Sequence, residues 1–240
     1  MLDLLGGFLL AALPALPILL WIRKNDSARP EPLGLIGRGL LLGFIAVAPA
    51  AIIEFFLFFA IDRFEGLGRR LAEAFLIAAL VEEGLKFLFL RRWLWKRAEF
   101  DEATDGIVYA VAVSLGFAVI ENFVYTWHRP ELLVIRSITA VPLHAIATGQ
   151  LGFWLGVEKL RERGLGLAVL PAGGWLRGLA SAVFIHGSYD FLILGGDWSI
   201  LLVMPFLLVA FLLLRRRFSL ARRIDEDAGF SVDSLKRADP

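Results

Sequence analysis

The chain has 240 residues, 58% of them hydrophobic and only 20% charged, with a mean hydropathy of +0.70. Soluble domains lie nearer about 45–50% apolar and about 25% charged, so a soluble enzyme, a disordered protein and a nucleic-acid binder are excluded. The 25 Lys and Arg against 24 Asp and Glu leave a net charge of +1, and the absence of cysteine removes disulfides, thiolate metal sites and a cysteine nucleophile.

A membrane-spanning helix needs roughly 20 mostly apolar residues. Seven stretches meet this, near Leu2–Ile22, Leu35–Ile61, Leu71–Leu90, Asp105–Trp127, Leu133–Val157, Gly173–Leu194 and Trp198–Leu214. The first has no basic leader, carries Asp3 and runs directly into Arg23 and Lys24. It reads as a retained helix rather than a signal peptide, and Pro14 and Pro17 predict a kink in it. The run Arg91-Arg92-Trp93-Leu94-Trp95-Lys96-Arg97 after the third stretch reads as a basic aromatic anchor to anionic lipid. His128, beside Arg129 and Pro130, reads as solvated. The apolar segment 164–171 fits an interfacial piece, a re-entrant piece or an extension of the sixth helix. After Phe218 the charged residues Arg222, Arg223, Asp225, Glu226 and Asp227 predict a flexible cytoplasmic tail over 219–240, leaving 1–218 as the membrane domain. No internal repeat is evident.

The positive-inside rule sets the orientation. With the N-terminus outside, the inner segments hold 18 Lys and Arg and the outer ones 5. The predicted fold is therefore an all-α polytopic bundle of about seven spans, N-out and C-in.

Ionisable groups inside a bilayer are costly and face a cavity or a partner. This chain places Glu54, Glu82, Glu83, Lys86, Glu121, His144, Arg177, His186 and Asp190 within its spans. At about 1.5 Å of rise per residue, six of them (Glu54, Glu82, Glu121, His144, His186 and Asp190) lie roughly 8 to 16 Å from the outer helix ends. Five helices thus contribute to one level in the outer half of the membrane, which predicts a polar chamber.

Two histidines and several carboxylates suit a zinc site with three protein ligands and an open position. His144 and His186 would supply nitrogen, Glu121 or Asp190 the third ligand, and Glu82 or Glu83 the general base. Asp190 follows His186 by one helical turn, so it can equally orient that imidazole. Without metal, the same groups can activate water by Glu–His base chemistry. Glu82 and Glu83 differ by about 100° around the helix, so one faces the chamber and the other pairs with Lys86. Asn122 and Tyr125 read as interhelical hydrogen-bond groups or substrate contacts. Gly106, Gly116, Gly149, Gly152 and Gly156 read as close helix packing. Buried Glu, His and Lys also make proton relays and ion-coupled transport sites, and a non-catalytic bundle that holds a partner helix is a third reading.

The motifs carry a resemblance. Glu82-Glu83-Gly84-Leu85-Lys86 fits an EExxK pattern. Asp105-Gly106-Ile107-Val108-Tyr109, Gly116-Phe117-Ala118 and Glu121-Asn122 follow, then His144, then His186-Gly187-Ser188-Tyr189-Asp190-Phe191, with Pro30-Glu31-Pro32 upstream. Together, over roughly residues 20–195, these resemble the PrsW family of intramembrane proteases, related to the CAAX-protease superfamily. That superfamily usually carries EExxxR where this chain has EExxK. The resemblance implies a metal-dependent endopeptidase in a bacterial or archaeal cell membrane. It implies Glu82, Glu83, His144 and His186 as the core, with Glu121 and Asp190 close by. It further implies a single-span membrane protein as substrate, cut near the outer leaflet in stress signalling, as for an anti-sigma factor. The short outer loops offer no separate docking domain, and the oligomeric state is not legible from the residues.

Overall fold

The computed structural model describes residues 4–26, 29–164, 173–196 and 198–229. Among these there are helices and connections but no strand. The chain is an all-α membrane bundle. Helices α1 (Leu4–Ala12) and α2 (Ala15–Asn25) are separated at Leu13 and Pro14, as a proline that cannot continue the hydrogen-bond ladder requires. Pro17 sits in the first turn of α2, where its missing N–H costs nothing. Helix α3 (Leu33–Ala60) follows. Next comes a continuous helical run of α4 (Gly66–Leu71), a π-helical stretch (Ala72–Ala79), α5 (Leu80–Phe89) and a π turn (Leu90–Leu94). Helices α6 (Ala103–His128), α7 (Leu133–Ile138), α8 (Ala140–Glu162), α9 (Gly174–Ile193) and α10 (Val203–Asp227) complete the described fold.

Five helical stretches are long and apolar enough to cross a membrane: Leu4–Asn25, Leu33–Ala60, Ala103–His128, Pro130–Glu162 and Ser199–Asp227. The other two predicted spans coincide with the 66–94 run and with α9. These carry Glu73, Glu82, Glu83 and Lys86 on one, and Arg177, His186 and Asp190 on the other, and those charges lower their hydropathy. The fifth predicted span is divided at Thr139 into α7 and α8. The segment 165–172 lies outside the described residues.

The boundary placed at residue 218 moves. Helix α10 continues to Asp227, because Phe218, Ala221, Ile224 and Asp225 are buried against the bundle. Asp225 accepts the backbone N–H groups of Ala103 and Thr104 and the Thr104 hydroxyl (2.5, 3.0 and 2.6 Å). It satisfies donors that the first turn of a helix leaves open. Residues 230–240 lie outside the described part.

Helix α6 is the axis of the bundle. Every residue from Ala103 to Val119 is buried, and α6 packs most extensively on α8 and α3. Glycine makes that possible. A Cβ at Gly106 would collide with the backbone of Gly152 and Gly156, and one at Gly116 with the backbone of Leu40. Small residues at helix crossings are how backbones come together in lipid, where no hydrophobic force draws helices to each other. By contrast α3 turns Ile52, Phe55, Phe56 and Phe59 outward, a face suited to lipid.

Candidate active site

The polar residues of α3, α5, α6, α8 and α9 converge on one cavity of about 590 Å³, with Glu54, Glu82, Glu121, His144, His186 and Asp190 in its wall. The π-helical stretch contributes Glu73, Ile77 and Ala78, and its Phe75 packs where Gly187 has no side chain. Widened π turns recur beside functional sites.

Lys86 organises one side. It is fully buried, and its three donors reach Glu82 Oε2 (3.1 Å), Glu83 Oε1 (2.8 Å) and His144 Nδ1 (3.0 Å). Both glutamates therefore pair with it, where one was expected to. They differ in what else they touch. Glu83 is fully buried and also holds the Thr148 hydroxyl (2.8 Å) and His186 Nδ1 (2.9 Å). Glu82 faces the cavity, with Oε2 3.8 Å from His144 Nδ1 and 3.9 Å from His186 Nε2.

Each imidazole is gripped on its far nitrogen. His144 Nε2 lies 2.5 Å from Glu121 Oε2, and Ser114 donates to the His144 carbonyl (2.6 Å). His186 Nδ1 is held by Glu83. The two rings stand edge to face with centroids 4.9 Å apart. Glu121 is in turn paired with Arg136 (3.1 Å), which also donates to Asn122 (3.3 Å) and lies over the Tyr125 ring (4.0 Å). Asn122 further donates to the Ala11 carbonyl (3.4 Å), tying α1 to α6. Asp190 Oδ2 is 3.4 Å from His186 Nε2. That oxygen and Glu54 Oε1 are buried without a hydrogen-bond partner. Arg177 does not join the cluster: it is exposed on α9.

A divalent metal fits the residues present. Glu82, His144 and His186 each offer one ligand atom, all within 4.8 Å of one another. A tetrahedral zinc site with bonds of about 2.0–2.2 Å spaces its ligands by roughly 3.3–3.6 Å, close to the two Glu82–imidazole distances. The carboxylate of this triad is Glu82, whereas Glu121 or Asp190 was expected. The reason is geometric: Glu121 lies behind His144 and Asp190 beside His186, and only Glu82 reaches both rings. Glu121–His144 and Glu83–His186 have the form of carboxylates that orient metal-binding imidazoles. Lys86 now occupies His144 Nδ1, so a metal there would take over that hydrogen bond.

Sequence reasoning missed Arg136 and Thr148. Arg136 is one of the five basic residues counted with the outer segments. Its position in the first turn of the fifth predicted span, one turn before Ala140, was the available signal. Thr148 follows His144 by one turn and so shares its face.

A second group of buried acids lies at the other end of α6. Asp26, Glu31, Glu102, Asp105 and Asp225 are each no more than 4% exposed. Burial pushes the carboxyls of Glu31 and Glu102 up to about 8 and that of Asp26 to about 6.

A cavity inside a membrane bundle, walled by imidazoles and carboxylates able to activate water, has the chemistry that a membrane-embedded protease needs. Comparison with known proteins gives the family. The profile of the PrsW family intramembrane metalloproteases matches residues 31–214. Protease PrsW of Clostridioides difficile (strain 630) is 32% identical over 84% of this chain and 85% of its own length. Protease PrsW of Bacillus subtilis (strain 168) is 30% identical over 88% and 94%, and that of Geobacillus kaustophilus (strain HTA426) 34% over 77% and 78%. No solved structure matches the chain. The chain belongs to the PrsW family. It is an integral membrane protease that acts on protein, which selects peptidase over transporter or passive scaffold.

Proposed function

We propose that this protein hydrolyses a peptide bond of a single-span membrane protein, near the outer leaflet, as a step of regulated proteolysis. By likeness to the family, an anti-sigma-type regulator is the expected substrate. The proposed topology is seven spans, N-out and C-in, supported by the 18-to-5 division of Lys and Arg. The observation that carries the chemistry is the Glu82–His144–His186 triad at the cavity wall.

In this reading His144 Nδ1, His186 Nε2 and Glu82 Oε2 hold zinc. The ion, when bound, supplies Lewis-acid polarisation of the scissile carbonyl and acidifies water. Glu121 and Glu83 fix the two imidazoles. Asp190, with an unpartnered oxygen beside His186, accepts the water proton and returns it to the leaving amine. Arg136 and Asn122 hold Glu121 in place. The substrate backbone enters along α3, where Ala50, Ala51 and Glu54 border the cavity.

The test is co-expression with a tagged single-span substrate, with zinc measured on purified enzyme. Glu82→Gln and His186→Ala should lose both zinc and cleavage, while Asp190→Asn keeps zinc and loses cleavage. Wild-type cleavage by inserted, folded Glu82→Gln and His186→Ala variants would falsify the assignment.

A further inference from the structure

The acidic group at the start of α6 has no part in the chemistry above. At about 1.5 Å per residue, Asp105 lies roughly 24 Å along the helix from Glu121. Its members nonetheless share an unusual arrangement. Asp26 Oδ2 accepts the Glu31 N–H (2.8 Å). Asp105 Oδ2 accepts the N–H groups of Asp101 (2.8 Å) and Glu102 (2.7 Å). Glu102, at the N-cap, accepts the Asp105 N–H in a capping box. Each carboxylate thus uses an oxygen on the backbone. Asp26 Oδ1 and Glu102 Oε1 are buried with no hydrogen-bond partner, while the Asp105 carboxyl also shares a side-chain hydrogen bond with Glu31. The three side chains are 2%, 1% and 0% exposed.

Buried carboxylate oxygens without partners are expensive unless something cationic meets them. Of the basic groups nearby, Arg23 and Arg29 are exposed and Arg222 is half-buried, and Arg222 and Arg23 both act on the Asp26 carboxylate through their charge. Arg29 Nε is 3.8 Å from Glu102 Oε1, and its Nη1 is directed to Asp101 (3.2 Å). Arg222 donates to the carbonyl and side-chain oxygens of Asn25. Tyr109 donates to Glu31, and Asp225 is occupied in capping α6.

One ligand atom from each of Asp26, Glu102 and Asp105 lies within 4.8 Å of the others. Two oxygens bound to one calcium ion at about 2.3–2.6 Å can be at most about 4.6–5.2 Å apart, so each pair of the three is close enough to share an ion. The donors are oxygen only, which selects a hard cation over zinc or copper. We propose that Asp26, Glu102 and Asp105 hold a divalent cation of the calcium or magnesium class. It braces the C-terminal end of α2 against the N-terminus of α6. This site is separate from the histidine centre in both place and donor chemistry.

The experiment uses full-length protein in detergent, stripped with chelator. CaCl₂ and MgCl₂ are titrated separately, with thermal unfolding and isothermal calorimetry as readouts. One of the two ions should bind once per chain and raise the Tm saturably, by roughly 5–10 °C at a hundredfold excess over Kd. Asp26→Asn should abolish the response. Glu102→Gln, which keeps an oxygen for the helix cap, is the second variant should the first not fold. A His144→Ala/His186→Ala protein should keep the response. No saturable response to either ion, a response undiminished in Asp26→Asn or Glu102→Gln, or loss of the response with the histidines would each overturn the proposal.

Discussion

The two ends of α6 solve the same problem in opposite ways. Near its C-terminal end, Glu121 meets Arg136 and His144, and the neighbouring Glu82 and Glu83 meet Lys86. The negative charge of Glu82, Glu83 and Glu121 is answered there by cations from the chain itself. At the N-terminal end Asp26, Glu31, Glu102, Asp105 and Asp225 gather, with Arg29 3.8 Å from Glu102 and Arg222 bonded to Asn25. There the backbone N–H groups of a helix start do much of the work. The lesson is that burial alone does not single out the proposed reactive centre. What marks it is a cavity, together with acids and imidazoles whose orientation is fixed from behind.

That contrast can be broken by mutation. The largest effect belongs to the reactive end. Asp190→Asn should lower cleavage by roughly 10²–10⁴-fold, the usual contribution of a positioned base, with zinc content and Tm held. Retained cleavage in a substrate-processing assay would remove Asp190 from the chemistry. Next, Lys86→Met leaves Glu82 and Glu83 buried without their cation. It should destabilise the fold by roughly 3–5 kcal/mol, read as a drop in Tm or loss of the inserted protein. A variant as stable as wild type would show that Lys86 does not stabilise the pair.

Smaller is the effect of Glu121→Gln. Loosening the grip on His144 should cost about 10–100-fold in zinc affinity, measured by competition with a chelator, while folding survives. Unchanged affinity would mean that His144 needs no orienting carboxylate. Smallest, at the other end, Asp225→Asn weakens the cap on α6 and should cost about 1 kcal/mol of stability with cleavage unchanged. A cleavage defect comparable with that of Asp190→Asn would show that the two ends are coupled through α6.

Several features were legible in the residues. Pro14 marked the break in the first helix, and the glycines of the α6–α8 crossing marked close packing. The helix positions of His144, His186, Glu82 and Glu121 placed them at a shared depth. Other features were not legible. Arg177 and Arg136 are both arginines near a predicted helix end. One faces outward and the other locks Glu121, a difference set by helix rotation and by the break at Thr139. Asp225 stood in a run of charges that suggested a solvated tail, yet it caps a helix whose first residue lies 122 positions earlier in the chain.

The sequence by itself determined a helical membrane protein and marked the ionisable residues from which its chemistry is proposed. Apolar length and the energetic cost of intramembrane charge leave few alternatives. The tertiary structure alone decided the roles: Glu82 toward both imidazoles, Glu83 behind one of them, and Lys86 between the two glutamates. It also gathered the carboxylates at the far end of α6. Neighbouring residues on a helix differ in direction by about 100°, and which direction meets a partner depends on how the helices are rotated against one another. Packing fixes that rotation, and no local pattern records it.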